Sequence, residues 1–172
     1  MNNKIDIKFI IAIALIVLSV ASRFLSLPPN FSPIMAVALF SGVIFANRKL
    51  ALLIPMAAML ISDIALGLHS TMVGVYLSFG LIAILGMRIK NVSFKGVFGS
   101  SILAALLFFV ITNFAVWCAG WYGYTFEGLV TCYAMAIPFF RATLASSILY
   151  SGLLFGGFYL AARLSVIQMA KV

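Results

Sequence analysis

The chain alternates long apolar runs with short polar interruptions, and no run shows the every-second-residue alternation of a barrel strand. Cutting at proline, glycine and charged clusters predicts six helical spans, over residues 7–26, 33–46, 50–67, 71–88, 96–118 and 138–163. Crossing a hydrocarbon core of about 30 Å takes roughly 20 residues, and nearly the whole chain is used up in such runs. Lipid offers backbone groups no partner, so continuous apolar runs mean helices. The second span is short and is expected to be sheltered by its neighbours, or continued by the turn Asn30-Phe31-Ser32. The predicted fold is therefore all-α, a single integral membrane bundle of six transmembrane helices over residues 1–172.

The interruptions fall into two sets. One set holds Lys4, Lys8, Arg48, Lys49, Arg88, Lys90, Lys95, Arg163 and Lys171, nine of the eleven basic residues. Lysine and arginine beside short loops resist translocation, so both termini are expected in the cytoplasm. The opposite set, 26–32, 66–71 and 119–137, is rich in Pro, Asn, Gly, Trp and Tyr. It gathers the remaining ionisable groups, Arg23, Asp63, His69, Glu127 and Arg141, leaving Asp6 as the one acid inside. Residues 126–136 are too apolar to hang in water and are expected to form a short helix over the outer mouth, walled by Trp121, Tyr122, Tyr124 and Tyr133. A membrane-surface helix with no ligand is the other reading. Lys4 and Lys8 before an apolar stretch ending in Ser19-Val20-Ala21 loosely resemble a signal peptide, but a retained first helix accounts for the topology.

Composition agrees with this picture. At 65% hydrophobic and 8% charged residues, with a mean hydropathy of +1.24, there is too little polar side chain to clothe a soluble globule. The net charge of +8 sits in scattered pairs without an aromatic-laced stripe, so it speaks for membrane orientation and against nucleic acid. Cys118 and Cys132 lack CxxC spacing, and either a disulfide or two free thiols fits.

A charged group in or near lipid costs a few kcal/mol unless paired, which makes the outward polar residues candidates for a binding site. Arg23 at the end of the first helix could pair with Asp63 or with an anionic ligand, or snorkel to headgroups. Asp63 is the one acid embedded in an apolar helical run and must find a partner among Arg23, His69 and Arg141. Pro28, Pro29 and Pro33 stiffen the first loop around Asn30. His69 can donate, accept or bind metal, although one histidine and two thiols make a weak metal case and none is expected. Asn113 and Trp117 are four apart and share a helix face, and Tyr133 and Arg141 face the same mouth. The substrate-binding set is thus Arg23, Asn30, Asp63, His69, Asn113, Trp117, Tyr133 and Arg141, with no cofactor.

No phosphate-binding G-x-x-x-x-G-K, HExxH or GxSxG occurs, so no enzyme activity is expected. Small residues at i, i+4 spacing form ridges at Ala38, Gly42 and Ala46, at Gly96, Ser100 and Ala104, and at Gly152 and Gly156. They serve either packing inside one bundle or docking of another subunit.

At RFLSLPPNFSPIMAVALFSG, LLIPMAAMLISDIALGLHSTM, ITNFAVW and AIPFFRATL the chain resembles an uncharacterised bacterial family described as transport proteins. The likeness covers almost the full length. Its architecture is similar to the S-components of energy-coupling factor vitamin transporters, which have six helices, both termini inside, and a pocket capped by the first, third and fifth loops. The resemblance implies uptake of a small vitamin-like solute from the outer face. S-components that dock on the shared ATPase module usually carry an Ala-x-x-x-Ala face in the first helix. AIALIVLSVASR departs from it, with Ile16 four after Ala12 and Leu18 four after Ala14, which counts against such a partner. Solitary cobalamin-type members need no module. A structural or assembly subunit is the alternative from a different class.

Overall fold

Polar residues at the ends of the apolar runs set where each helix starts and stops. Asn47 caps one helix with its side-chain oxygen, accepting from Lys49 N at 3.0 Å, and Ser93 caps another by accepting from Gly96 N at 3.1 Å. Gly67, at φ 105°, ends the helix that carries Asp63, and its N–H closes on the Asp63 carbonyl at 2.9 Å. A computed structural model describes residues 7–25, 27–89 and 92–163. Lys4, Asp6, Lys90 and Lys171 lie outside the described residues, as do the side chains of Lys8 and Arg163.

Six helices make up the described chain: α1 (Ile7–Phe24), α2 (Ile34–Ile44), α3 (Arg48–Leu66), α4 (Met72–Arg88), α5 (Phe94–Cys118) and α6 (Phe126–Arg163). No strand occurs among the described residues. By length and composition α3, α5 and residues 126–160 of α6 can each cross a membrane, whereas α1, α2 and α4 are shorter apolar helices. Apolar side chains such as Leu103, Val110, Phe114, Leu149 and Leu153 stand exposed along α5 and α6. Lipid accommodates such a surface and water does not.

The short α2 is the core of the bundle. It contacts each of the other five helices, and every residue from Ile34 to Gly42 is buried. At its far end α2 meets α4 backbone to backbone: a Cβ on Gly42 would strike the Ala83 carbonyl and Gly86 Cα, and one on Gly86 would strike the Leu39 carbonyl. Ser41 Oγ ties the same helix to α3 by donating to the Ala51 carbonyl at 2.8 Å. Ala38 and Gly42 of the α2 ridge are thus spent inside the bundle, whereas Ala46 lies past the helix end and is exposed. Gly152 and Gly156 on α6 face open space, since a Cβ at either meets nothing within 4 Å.

One element differs from expectation. Residues 126–136 are the opening turns of α6, a continuous 38-residue helix that runs through Pro138. They run beside the C-terminal half of α5, with Tyr133 Oη donating to the Val110 carbonyl at 2.6 Å and Cys132 Sγ to the Asn113 carbonyl at 3.3 Å. Farther along, Ser147 Oγ donates to the Ser101 carbonyl at 2.9 Å. A proline removes one N–H from a helix, a loss that neighbouring groups in a membrane bundle can absorb, so Pro138 does not mark a helix start.

Candidate functional site

The loop between α1 and α2 is built to hold one shape. Phe31 N donates to the Pro28 carbonyl at 2.9 Å, which closes a turn around Pro29 and Asn30. Asn30 takes φ 63°, the left-handed region that its short polar side chain tolerates better than most. The turn is anchored on α6, where Ser146 Oγ donates to the Asn30 carbonyl at 3.3 Å and the Phe31 ring meets Tyr150 edge-on at 5.7 Å.

This loop walls a cavity of about 410 Å³, closed on its other sides by the end of α1, the C-terminal part of α3, the N-terminal part of α4, and Phe108 of α5. Its size falls in the range of small-molecule sites. The deeper lining is apolar, with Met35, Met59, Val75, Phe79 and Phe108, and the polar lining comprises Ser22, Arg23, Asn30, Ser32 and His69. A smaller cavity of about 220 Å³ adjoins it, sharing Asn30, Val75 and Phe108 and adding Thr112, Asn113, Phe140 and Thr143.

Asp63 lies behind the wall, fully buried, with Arg23 Nη1 2.8 Å from its Oδ1. The contact is an ion pair by distance alone, because no N–H is aligned on Oδ1; Nη1 donates instead to Met59 Sδ at 2.9 Å. Tyr76 Oη completes the group by donating to Asp63 Oδ2 at 3.0 Å. Met59 and Asp63 are four apart on α3 and share a face, so an arginine reaching for the acid passes over the sulfur. One buried carboxylate thereby joins α1, α3 and α4 beside the cavity.

Of the residues singled out in the sequence, Arg23, Asn30 and His69 line the larger cavity, and Asn30 and Asn113 the smaller. His69 Nδ1 shares a proton with Thr71 Oγ1 at 3.0 Å, and Asn113 Nδ2 donates to the Phe109 carbonyl of its own helix at 2.7 Å. Trp117, Tyr133 and Arg141 line neither cavity. The Trp117 indole N–H is drawn to the Thr125 carbonyl at 3.2 Å, in the turn joining α5 to α6; the Tyr133 hydroxyl is taken by α5; Arg141 is exposed. The expected walls Trp121, Tyr122 and Tyr124 are exposed on the same turn. Tyr76 and Met59 were not singled out in the sequence. Their signal is indirect: a tyrosine and a methionine on apolar helices declare their partners only once Asp63 is placed.

Among the described residues no group of three His, Cys, Asp or Glu side chains could hold a metal ion. Cys118 is exposed, Cys132 is buried, and both are free thiols.

The chain belongs to DUF6580, a family of unknown function, whose model matches residues 3–169. No curated protein and no solved structure matches it, so the comparisons add no support to a likeness to S-components.

Proposed function

We propose that this member of DUF6580 is the solute-binding component of a membrane uptake system, taking a small water-soluble compound from the outer side of a bacterial inner membrane. In this reading all six helices traverse the bilayer, both termini are cytoplasmic, and the α1–α2, α3–α4 and α5–α6 connections face outward, as in S-components. The observation that carries it is the cavity of about 410 Å³ under the α1–α2 loop, where an apolar floor meets a few convergent polar groups and a buried ion pair. Nothing in that lining supplies a nucleophile paired with a base, which favours binding over chemistry. Reorientation of the bundle would carry the solute inward, with the departure from Ala-x-x-x-Ala favouring a solitary carrier over one docked on an ATPase module.

The test is a panel of vitamins, cobalamin included, screened against the purified protein in detergent. A compound that binds the native state raises its melting temperature, by about 2.7 kcal/mol of added stability at a hundredfold excess over Kd. The reading predicts at least one such compound, matched by uptake in cells that falls when His69 or Asn30 is replaced by alanine. A flat panel together with unchanged uptake would falsify it. A second reading, an assembly subunit docking partner helices, is favoured by one observation: the open small-residue face at Gly152 and Gly156.

A further inference from the structure

We infer that the solute taken by the larger cavity is a small monoanionic organic acid with an apolar or aromatic body, its carboxylate held by the open edge of the Arg23 guanidinium. This rests on the solute-binding reading above.

The charge lining the cavity has one sign. Among the described residues Arg23 and His69 are the ionisable side chains lining it, none of the lining residues is an acid, and Asp63 is fully buried behind the wall. Arg23 is held in place from one side: Nη1 is engaged by Asp63 and Met59, while Nε and Nη2 donate to no described residue. Its side chain is 22% exposed and lines the cavity. A guanidinium fixed along one edge presents the two parallel N–H groups of the other to a planar carboxylate, the geometry that binds such groups best. Ser22 and Ser32 stand on the same wall, but their hydroxyls are engaged: Ser22 Oγ donates to the Ser19 carbonyl at 2.7 Å and meets Ser32 Oγ at 3.4 Å, so the guanidinium edge is the principal donor here.

The same arrangement argues against a dianion. Asp63 already offsets most of the Arg23 charge, and among the described lining residues His69 is the one other basic side chain. A phosphate dianion would enter with more charge than the wall can answer. Phe31, Phe79, Phe108, Met35 and Met59 then provide an apolar bed for the rest of the molecule.

The experiment uses matched pairs with the same body: benzoate and benzamide, indole-3-acetate and indole-3-acetamide, octanoate and octanamide, with inorganic phosphate alongside. Binding to the full chain in detergent is read by melting temperature and by titration calorimetry. At least one acid should bind about ten- to a hundredfold tighter than its amide, the worth of a charge-assisted hydrogen-bonded pair, and phosphate should not bind. Arg23→Lys keeps the charge opposite Asp63 but removes the fork, and should weaken the acid about tenfold while leaving the amide unchanged. The paired variant Arg23→Gln/Asp63→Asn removes both charges together and should lose the preference for acid over amide while still unfolding cooperatively. Amides binding as tightly as acids, phosphate binding as tightly as either, or an unaffected Arg23→Lys would each overturn the inference and leave the solute-binding reading standing. If these probes and the vitamin panel are all without effect, both fall.

Discussion

Replacing Arg23 with methionine tests the most consequential contact in the bundle. Asp63 is fully buried, and apart from Arg23 its carboxylate receives one aligned hydrogen bond, from Tyr76 at 3.0 Å. Removing the guanidinium therefore strands a charge that water does not reach, a situation that costs about 3–5 kcal/mol when a buried pair is broken from one side. The reverse change is milder. Asp63→Asn leaves Arg23 with the solvent contact of a side chain 22% exposed, and the amide can still accept from Tyr76, so the loss is the charge-assisted part of one contact, about 1–2 kcal/mol. Once Asp63 is neutral, losing the arginine strands nothing, and the double variant should be no less stable than Arg23→Met alone. Unfolding in mixed micelles can be followed by the fluorescence of Trp117 and Trp121, both at the turn between α5 and α6. A loss below about 1 kcal/mol for Arg23→Met, the level of an exposed pair, would refute the reasoning, as would a larger loss for Asp63→Asn than for Arg23→Met.

Tyr76→Phe removes the remaining donor to that carboxylate and should cost about 1.5–3 kcal/mol in the same unfolding assay. Gly42→Ala drives a methyl group into the Ala83 carbonyl, which as backbone cannot step aside, and should cost about 1–3 kcal/mol; Gly156→Ala, facing open space, should stay within about 0.5 kcal/mol. If Gly156→Leu nevertheless abolishes function while the isolated protein unfolds normally, the assembly reading gains and the uptake reading loses. A maleimide reagent should label Cys118 readily and reach Cys132 only on unfolding, as rates of thiol modification with and without denaturant will show. Asn30→Gly should be nearly neutral, whereas Asn30→Val should lose about 1–2 kcal/mol in melting experiments, because φ 63° is strained for a β-branched residue.

Much of the fold was legible because lipid imposes one rule on every run. Five of the six helices begin and end within a few residues of the expected spans, where Asn47, Gly67 or Ser93 supply caps or breaks. The sixth was misread at Pro138, since proline inside a membrane helix looks in sequence like proline at its start. The Arg23–Asp63 pair was within reach of the sequence because so few ionisable residues compete for Asp63. The placing of Trp117, Tyr133 and Arg141 was not: α5 and α6 are apolar around most of their circumference, so periodicity does not tell which face meets the bundle. Tyr76 was hidden for the complementary reason, since a tyrosine among apolar residues gives no sign of the acid that its hydroxyl will find.

The 11 residues of α2 rise only about 16 Å, roughly half of a hydrocarbon core. The segment before it, 27–33, is non-helical, so its backbone groups have no helical partners to satisfy them. Its three prolines answer part of that need by subtraction. Pro28, Pro29 and Pro33 carry no N–H, so seven residues present four donors, those of Leu27, Asn30, Phe31 and Ser32. Leu27 and Phe31 donate to the Leu25 and Pro28 carbonyls, at 2.7 and 2.9 Å. Asn30 and Ser32 keep theirs, and both residues line the larger cavity. The rim of the cavity is thus stiffened by the same residues that cut its unmet main-chain donors from seven possible to two.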